Sequence, residues 1–396
     1  MSVKIKIKNF LWQILILNLV VYSVLKYRGM QWKRVSYANV VEMFPKVIPT
    51  FVVLSFVLVL FVGCFQLKKK NNFNNIIGKC ALILFLIGLI EFIFNFEQGY
   101  TLLFHQGNPL LLIEIAFTFI IVNDESIAKI MRKLCGPLAC LYTGLALLEV
   151  IKYLDKYASV RMAGGPIITY FANALFLTVA WWCIISKENK RKLGIYVCCG
   201  ILMIVGVITT SRGWILQIVF LTCICYFYSS KKSATKKMIH LITAGIGILV
   251  IFYLIINYAG DTWRYVLTRV GEDTRSGQLS TFFEQVSIFK LITGSGYNAS
   301  YIWNGIEYKF IDNQILFWMF RYGIMSVLAY WLPFFYGIFK NVFYKKWKCF
   351  IPYYTAVVMW VTAMLGLCIY YSIFFDIGNI FIIFTVCELI KEKRNV

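Results

Sequence analysis

A chain of 396 residues that is 60% hydrophobic, 18% aromatic and only 15% charged is not an ordinary soluble domain, which is nearer half apolar and a quarter charged. Its net charge of +22 invites a nucleic-acid reading, but the basic residues fall in short clusters between apolar runs. Membrane-protein loops look like this, and no continuous basic face exists to follow phosphates, so nucleic acid is excluded as a partner.

Apolar runs of about 16–22 residues recur along the chain, close to the roughly 20 that cross a bilayer core as a helix. In lipid the backbone must satisfy its own hydrogen bonds, so these runs are read as helices rather than strands. The N-terminal MSVKIKIK is basic like the start of a signal peptide, but no small-residue cleavage site follows, and the run reads as an uncleaved first span. The expected fold is all-α: one integral membrane domain, 1–396, a polytopic bundle of 12 spans. These lie near 10–26, 47–67, 76–96, 104–122, 135–152, 166–186, 194–211, 213–229, 239–258, 312–339, 349–370 and 374–390. The 12 cysteines sit almost entirely within apolar runs (Cys64, Cys80, Cys183, Cys223 and Cys368 among them) and form no CxxC pair. Small buried thiols are therefore expected rather than disulfides or a zinc site.

Sidedness follows from lysine and arginine. Seven short segments, around Lys4–Lys8, Lys68–Lys70, Lys129–Lys133, Lys187–Lys192, Lys231–Lys237, Lys340–Lys348 and Lys391–Arg394, hold 24 of the 40 basic residues. Alternate loops carry them, so both termini are expected in the cytoplasm. The other side has one long segment, 259–311, between the ninth and tenth spans, and a loop of that length is more often functional than incidental. Within it Leu279, Phe282, Phe283, Val286 and Phe289 recur at helical spacing, which predicts an amphipathic helix on the membrane surface or over a cavity.

Charges at membrane depth are costly and mark candidate functional positions. Arg161, ahead of Gly164, Gly165 and Pro166, stands in the outer loop before the sixth span, as a loop cation or a substrate contact. Arg212, in the Ser-Arg-Gly turn between the seventh and eighth spans, is either a snorkelling interfacial side chain or an anion clamp. A guanidinium stays charged and grips phosphate oxygens in pairs. Arg275 precedes the amphipathic stretch and either pairs with Glu272 or Asp273 in solvent or projects over the same outer cavity. Gly294-Ser295-Gly296 lacks the spacing of a nucleotide loop and reads as a turn permitting close approach. Asp312 and Asn313 open the tenth span. Asp312 is a helix cap favoured by the dipole or, facing a cavity, the best-placed general base in the chain. Arg321, nine residues on, is placed to pair with Asp312 or with substrate. With only His105 and His240, no histidine-based metal or catalytic site is expected.

The order of these features is familiar. An outer RxxG motif with a following proline, the SRG turn, and a long outer loop come first. Within that loop come an arginine and then, about twenty residues on, G-S-G. An Asp-Asn helix start with Gly323 ten residues later completes the series. Over about 155–330 the chain resembles the O-antigen polymerase and O-antigen ligase family of bacterial envelope glycosyltransferases. The resemblance implies a transferase needing no metal or other cofactor, in the bacterial cytoplasmic membrane. It would act on undecaprenyl-pyrophosphate-linked oligosaccharide at the outer leaflet, with membrane lipid and a chain-length regulator protein as partners. By motif, Arg212 and Arg275 would contact the donor pyrophosphate. Asp312 stands where ligases of the family usually carry histidine, which favours polymerase over ligase. Arg161, Asn313, Arg321 and Tyr297 complete the expected substrate-binding set. A ligase moving finished chains to a lipid A core, and a flippase or secondary transporter, remain the rival readings.

Overall fold

In the computed structural model the apolar runs fold as a helical bundle, because each helix satisfies its own backbone without help from solvent. The structure describes residues 3–25, 47–67, 75–104, 107–152, 166–187, 193–209, 211–229, 235, 274–311, 313–342, 351–365 and 376–391. In chain order these form α1 (Val3–Leu25), α2 (Val47–Leu67), α3 (Ile76–Phe94), α4 (Pro109–Val122), α5 (Glu125–Lys152), α6 (Pro166–Lys187), α7 (Leu193–Ile208) and α8 (Arg212–Ser229). Then come α9 (Thr274–Gln285), α10 (Ile288–Thr293), α11 (Gln314–Val342), α12 (Ile351–Met364) and α13 (Ile377–Lys391). A 3-10 segment, Phe96–Phe104, joins α3 to α4. Ahead of α11, β1 (Tyr301–Trp303) and β2 (Ile306–Tyr308) form an antiparallel hairpin that pairs Ile302 with Glu307.

Among the described residues, six helices are long and apolar enough to cross a membrane: Lys4–Leu25, Thr50–Leu67, Ile76–Phe94, Glu125–Lys152, Ile167–Ser186 and Gln314–Lys340. α4, α7, α8, α12 and α13 are apolar but shorter. The span predicted at 239–258 lies outside the described residues. Three predicted spans start well away from their expected positions, and the first of them, expected at 10–26, begins at Val3. The one expected at 104–122 starts instead at Pro109, because Asn108 caps it by accepting from the Leu111 N–H at 2.9 Å. Proline then takes a first-turn position whose N–H would be unpaired anyway. The span expected at 135–152 begins at Glu125, since Asp124 accepts from the Ser126 N–H at 3.0 Å and starts the helix nearly three turns before its apolar stretch.

Burial sorts the helices. In α6, 78% of the spanning stretch is buried, against 33% in α2 and α3, which makes α6 the central helix. It packs against α5, α7, α12 and α13. Peripheral helices expose large apolar side chains, among them Phe61, Leu86, Ile90, Leu148, Ile204 and Leu216, a surface suited to lipid rather than water. On α11, Met325, Leu328, Leu332, Phe335 and Phe339 are exposed at alternating three- and four-residue steps, one helical face, while Tyr330 and Phe334 are buried on the other.

Side-chain contacts mark the two ends. At one, Lys8 pairs with Asp124 at 2.7 Å, Arg132 reaches Glu388 at 3.1 Å and Glu125 at 3.0 Å, and Lys340 and Lys391 donate to the Ile390 and Val122 carbonyls. This basic end gathers the starts of α1 and α5 and the ends of α4, α11 and α13. At the other end the start of α6 meets the end of α1, with Tyr170 donating to the Ser23 carbonyl at 3.2 Å.

Candidate functional site

Residues 274–311 build a cap on the end of the bundle away from the basic cluster. The Gln285 side chain donates to the Ile302 carbonyl and accepts from its N–H, both at 2.8 Å, so the end of α9 acts as an extra rung on β1. Phe282 is fully buried between the rings of Tyr301 (5.3 Å) and Phe320 of α11 (5.2 Å), which seats the cap on the bundle. The amphipathic stretch predicted as one helix is two. Ser287, in extended conformation, caps α10 with its side chain and ends the run at Val286. Phe282 and Val286 consequently face inward, while Phe283 and Phe289 are exposed.

The Gly-Ser-Gly turn closes on a break in α11. Gly323 has φ 74° and ψ 170°, so the helix is interrupted there and nearby carbonyls lose their helical donors. The Phe320 and Arg321 carbonyls accept instead from the N–H groups of Ser295 (2.8 Å) and Gly296 (3.0 Å). Broken backbone at this depth needs such internal partners.

Two expected substrate contacts sit in this joint. Arg321 is only 4% exposed; its guanidinium donates to the Gly107 carbonyl at 3.2 Å and the Lys309 carbonyl at 2.9 Å, and lies 4.2 Å over the Phe317 ring. The Tyr322 hydroxyl donates to the same Gly107 carbonyl. Tyr297 is buried, and its hydroxyl donates to the Gln98 side chain. Tyr297 thus ties the cap to the 3-10 segment, and Arg321 ties the cap to the turn ahead of α4. Asn313 caps α11, accepting from the N–H groups of Ile315 (3.1 Å) and Leu316 (3.2 Å).

Arg161 and Asp312 lie outside the described residues. Arg212 is the first residue of α8, where the Ser211 carbonyl accepts from the N–H groups of Trp214 and Ile215 at 3.0 and 3.1 Å. Trp214 stacks on Phe171 of α6 at 4.1 Å, which fixes that helix start against the first turns of the central helix. Arg275 is the second residue of α9.

Sequence reading passed over Gln98 and Gly107. The only local signal was the turn-and-cap string Gly107-Asn108-Pro109; nothing nearby in sequence names their partners. A deeper polar cluster was also missed. The Gly378 N–H donates to the Asn173 side-chain oxygen at 2.7 Å, and Asp376 caps α13 by accepting from the Asn379 N–H at 2.9 Å. Asp376 also stands within electrostatic reach of Tyr142 and Tyr330. Glu114 is buried inside α4; a lone carboxylate within an apolar run was visible in sequence and marks a position to test. In comparisons with known proteins, no family model, curated protein or solved structure matches the chain.

Proposed function

We propose that this protein polymerises undecaprenyl-pyrophosphate-linked oligosaccharide repeat units at the outer face of the bacterial cytoplasmic membrane. In this reading the chain spans the membrane 12 times with both termini cytoplasmic, and the product is an O-antigen, capsule or exopolysaccharide. One observation carries the reading. Arg212 and Arg275 each stand in the first turn of a helix, α8 and α9, that belongs to the end of the bundle away from Lys8, Arg132 and Lys391. A helix start presents unpaired N–H groups and the positive end of the dipole, so an arginine there reinforces a place already suited to phosphate.

The chemistry is glycosyl transfer with inversion. A sugar hydroxyl of one unit attacks the anomeric carbon of another, and the bond from that carbon to the pyrophosphate breaks. The electron pair leaves on the pyrophosphate, whose developing charge the two guanidinium groups stabilise without a metal. Asp312 takes the proton from the attacking hydroxyl. Arg321, Tyr297 and Asn313 serve by positioning, since their polar groups hold the cap and the start of α11. The test is surface glycan length in cells carrying Arg212→Ala or Arg275→Ala. Single repeat units are the expected result. Loss of all surface glycan would favour a ligase or flippase, and wild-type lengths would remove the arginines from the mechanism.

One observation favours a carrier as second reading. Asp376 opens the short α13 about 18 Å along its axis from Glu388, near the middle of a hydrocarbon core of about 30 Å. Polar groups at the start of a short helix near the midplane are where secondary transporters hold their cargo. Polymer formation from a defined lipid-linked repeat unit by the purified protein separates the two.

A further inference from the structure

The cap carries apolar side chains that stand exposed among the described residues. On α10, Ile288 is 74% exposed, Phe289 71% and Ile292 50%. At about 100° per residue these three fall within an arc of about 100° on the helix, whereas Lys290 stands on the opposite side and Leu291 is buried against the bundle. An apolar face opposed by a lysine, on a short helix at the end of the bundle, is the pattern of a segment that lies in a membrane interface.

Its level is fixed by two contacts. Gly323 touches the end of α10: a β-carbon there would stand 2.6 Å from the Ile292 carbonyl oxygen. Lys340, at the basic end, donates to the Ile390 carbonyl. From Lys340 to Gly323 the helix rises about 26 Å, less than the roughly 30 Å of a bilayer core. The lipid-facing row of α11 begins at Met325, two residues beyond Gly323. The exposed face of α10 therefore continues, at its upper margin, the surface that α11 gives to lipid.

We infer that α10 is immersed in the lipid leaflet on the side away from the basic end, with Ile288, Phe289 and Ile292 among acyl chains and Lys290 at the phosphates. The occupant is bilayer lipid, and the segment pins the cap, with Arg275 at its head, to the membrane surface. This does not depend on the polymerase reading. The same placement would serve any chemistry carried out beneath the cap.

The test places the photo-crosslinking residue p-benzoylphenylalanine at position 289 or 292 of the full chain, reconstituted in vesicles of phosphatidylethanolamine and phosphatidylglycerol. Position 335, on the lipid-facing row of α11, is the positive control, and position 304, at the hairpin turn, the aqueous one. Phospholipid adducts at 289 and 292 at the level of 335, with none at 304, are the expected result. Yields at 289 and 292 as low as at 304 would overturn the proposal. So would adducts to a second copy of the chain in place of lipid. Since 289 and 292 are exposed, a bulky ring there leaves the packing intact, and a gel-filtration profile and unfolding midpoint equal to the parent's check that each variant has folded.

Discussion

Gly294 and Gly323 meet backbone to backbone: a β-carbon on Gly294 would stand 2.7 Å from the Arg321 carbonyl oxygen and 2.8 Å from the Gly323 nitrogen. Both residues have positive φ, 86° and 74°. The contact joins the cap to the spanning helix and leaves no room for a side chain on either partner.

Gly323→Ala and Gly294→Ala should each destabilise the protein by about 2–6 kcal/mol, adding a glycine-only backbone conformation of about 1–3 kcal/mol to overpacking of about 1–3 kcal/mol. The midpoint of unfolding in mixed detergent micelles measures this. The double variant should lose clearly less than the sum, because both changes open the same joint.

Arg321→Lys keeps the charge but cannot span two carbonyls as the planar fork does. A loss of about 1.5–3 kcal/mol is expected, the worth of one hydrogen bond from a charged donor. Limited proteolysis should then cut within 294–311 faster than in the parent, while cleavage near the basic end stays unchanged. Equal acceleration at both ends would show that Arg321 supports the whole bundle rather than the cap.

The buried pair of Lys8 and Asp124 should behave asymmetrically. Lys8→Met alone leaves a buried carboxylate without its cation and should cost about 3–5 kcal/mol. Combined with Asp124→Asn, which removes that charge and keeps a cap for α5, much of the loss should return. Unfolding midpoints of the four forms complete the cycle.

In the proposed reaction Asp312→Asn should slow polymer growth by about 10²–10⁴ while donor binding persists, as for removal of a general base. Arg212→Ala and Arg275→Ala should cost about 10²–10³ each. Lysine at either position should restore only part of the rate, since it offers a point charge rather than a bidentate fork. Initial rates with a defined lipid-linked repeat unit check all of these, and an undiminished rate for Asp312→Asn would move the base elsewhere.

Hydropathy located every described helix of the bundle, because a span in lipid is chosen by a local property, about twenty apolar residues in sequence. The lysine and arginine clusters marked what became the basic end, and Gly-Ser-Gly was legible as a place of close approach because glycine spacing is local too. Tertiary structure alone decided what the polar residues do. Arg321 read as a partner for Asp312 or substrate, yet its acceptors include the carbonyl of Gly107, 214 positions away. Tyr297 answers to Gln98, 199 positions away. The single amphipathic stripe divided at Ser287 because Phe282 and Val286 had a core to enter and Phe283 and Phe289 did not. A periodic pattern tells which residues avoid water; only packing tells whether protein or lipid takes the place of the water. Long-range acceptors leave no trace at the donor's own position, so the residues that hold the cap were the ones the sequence could not assign.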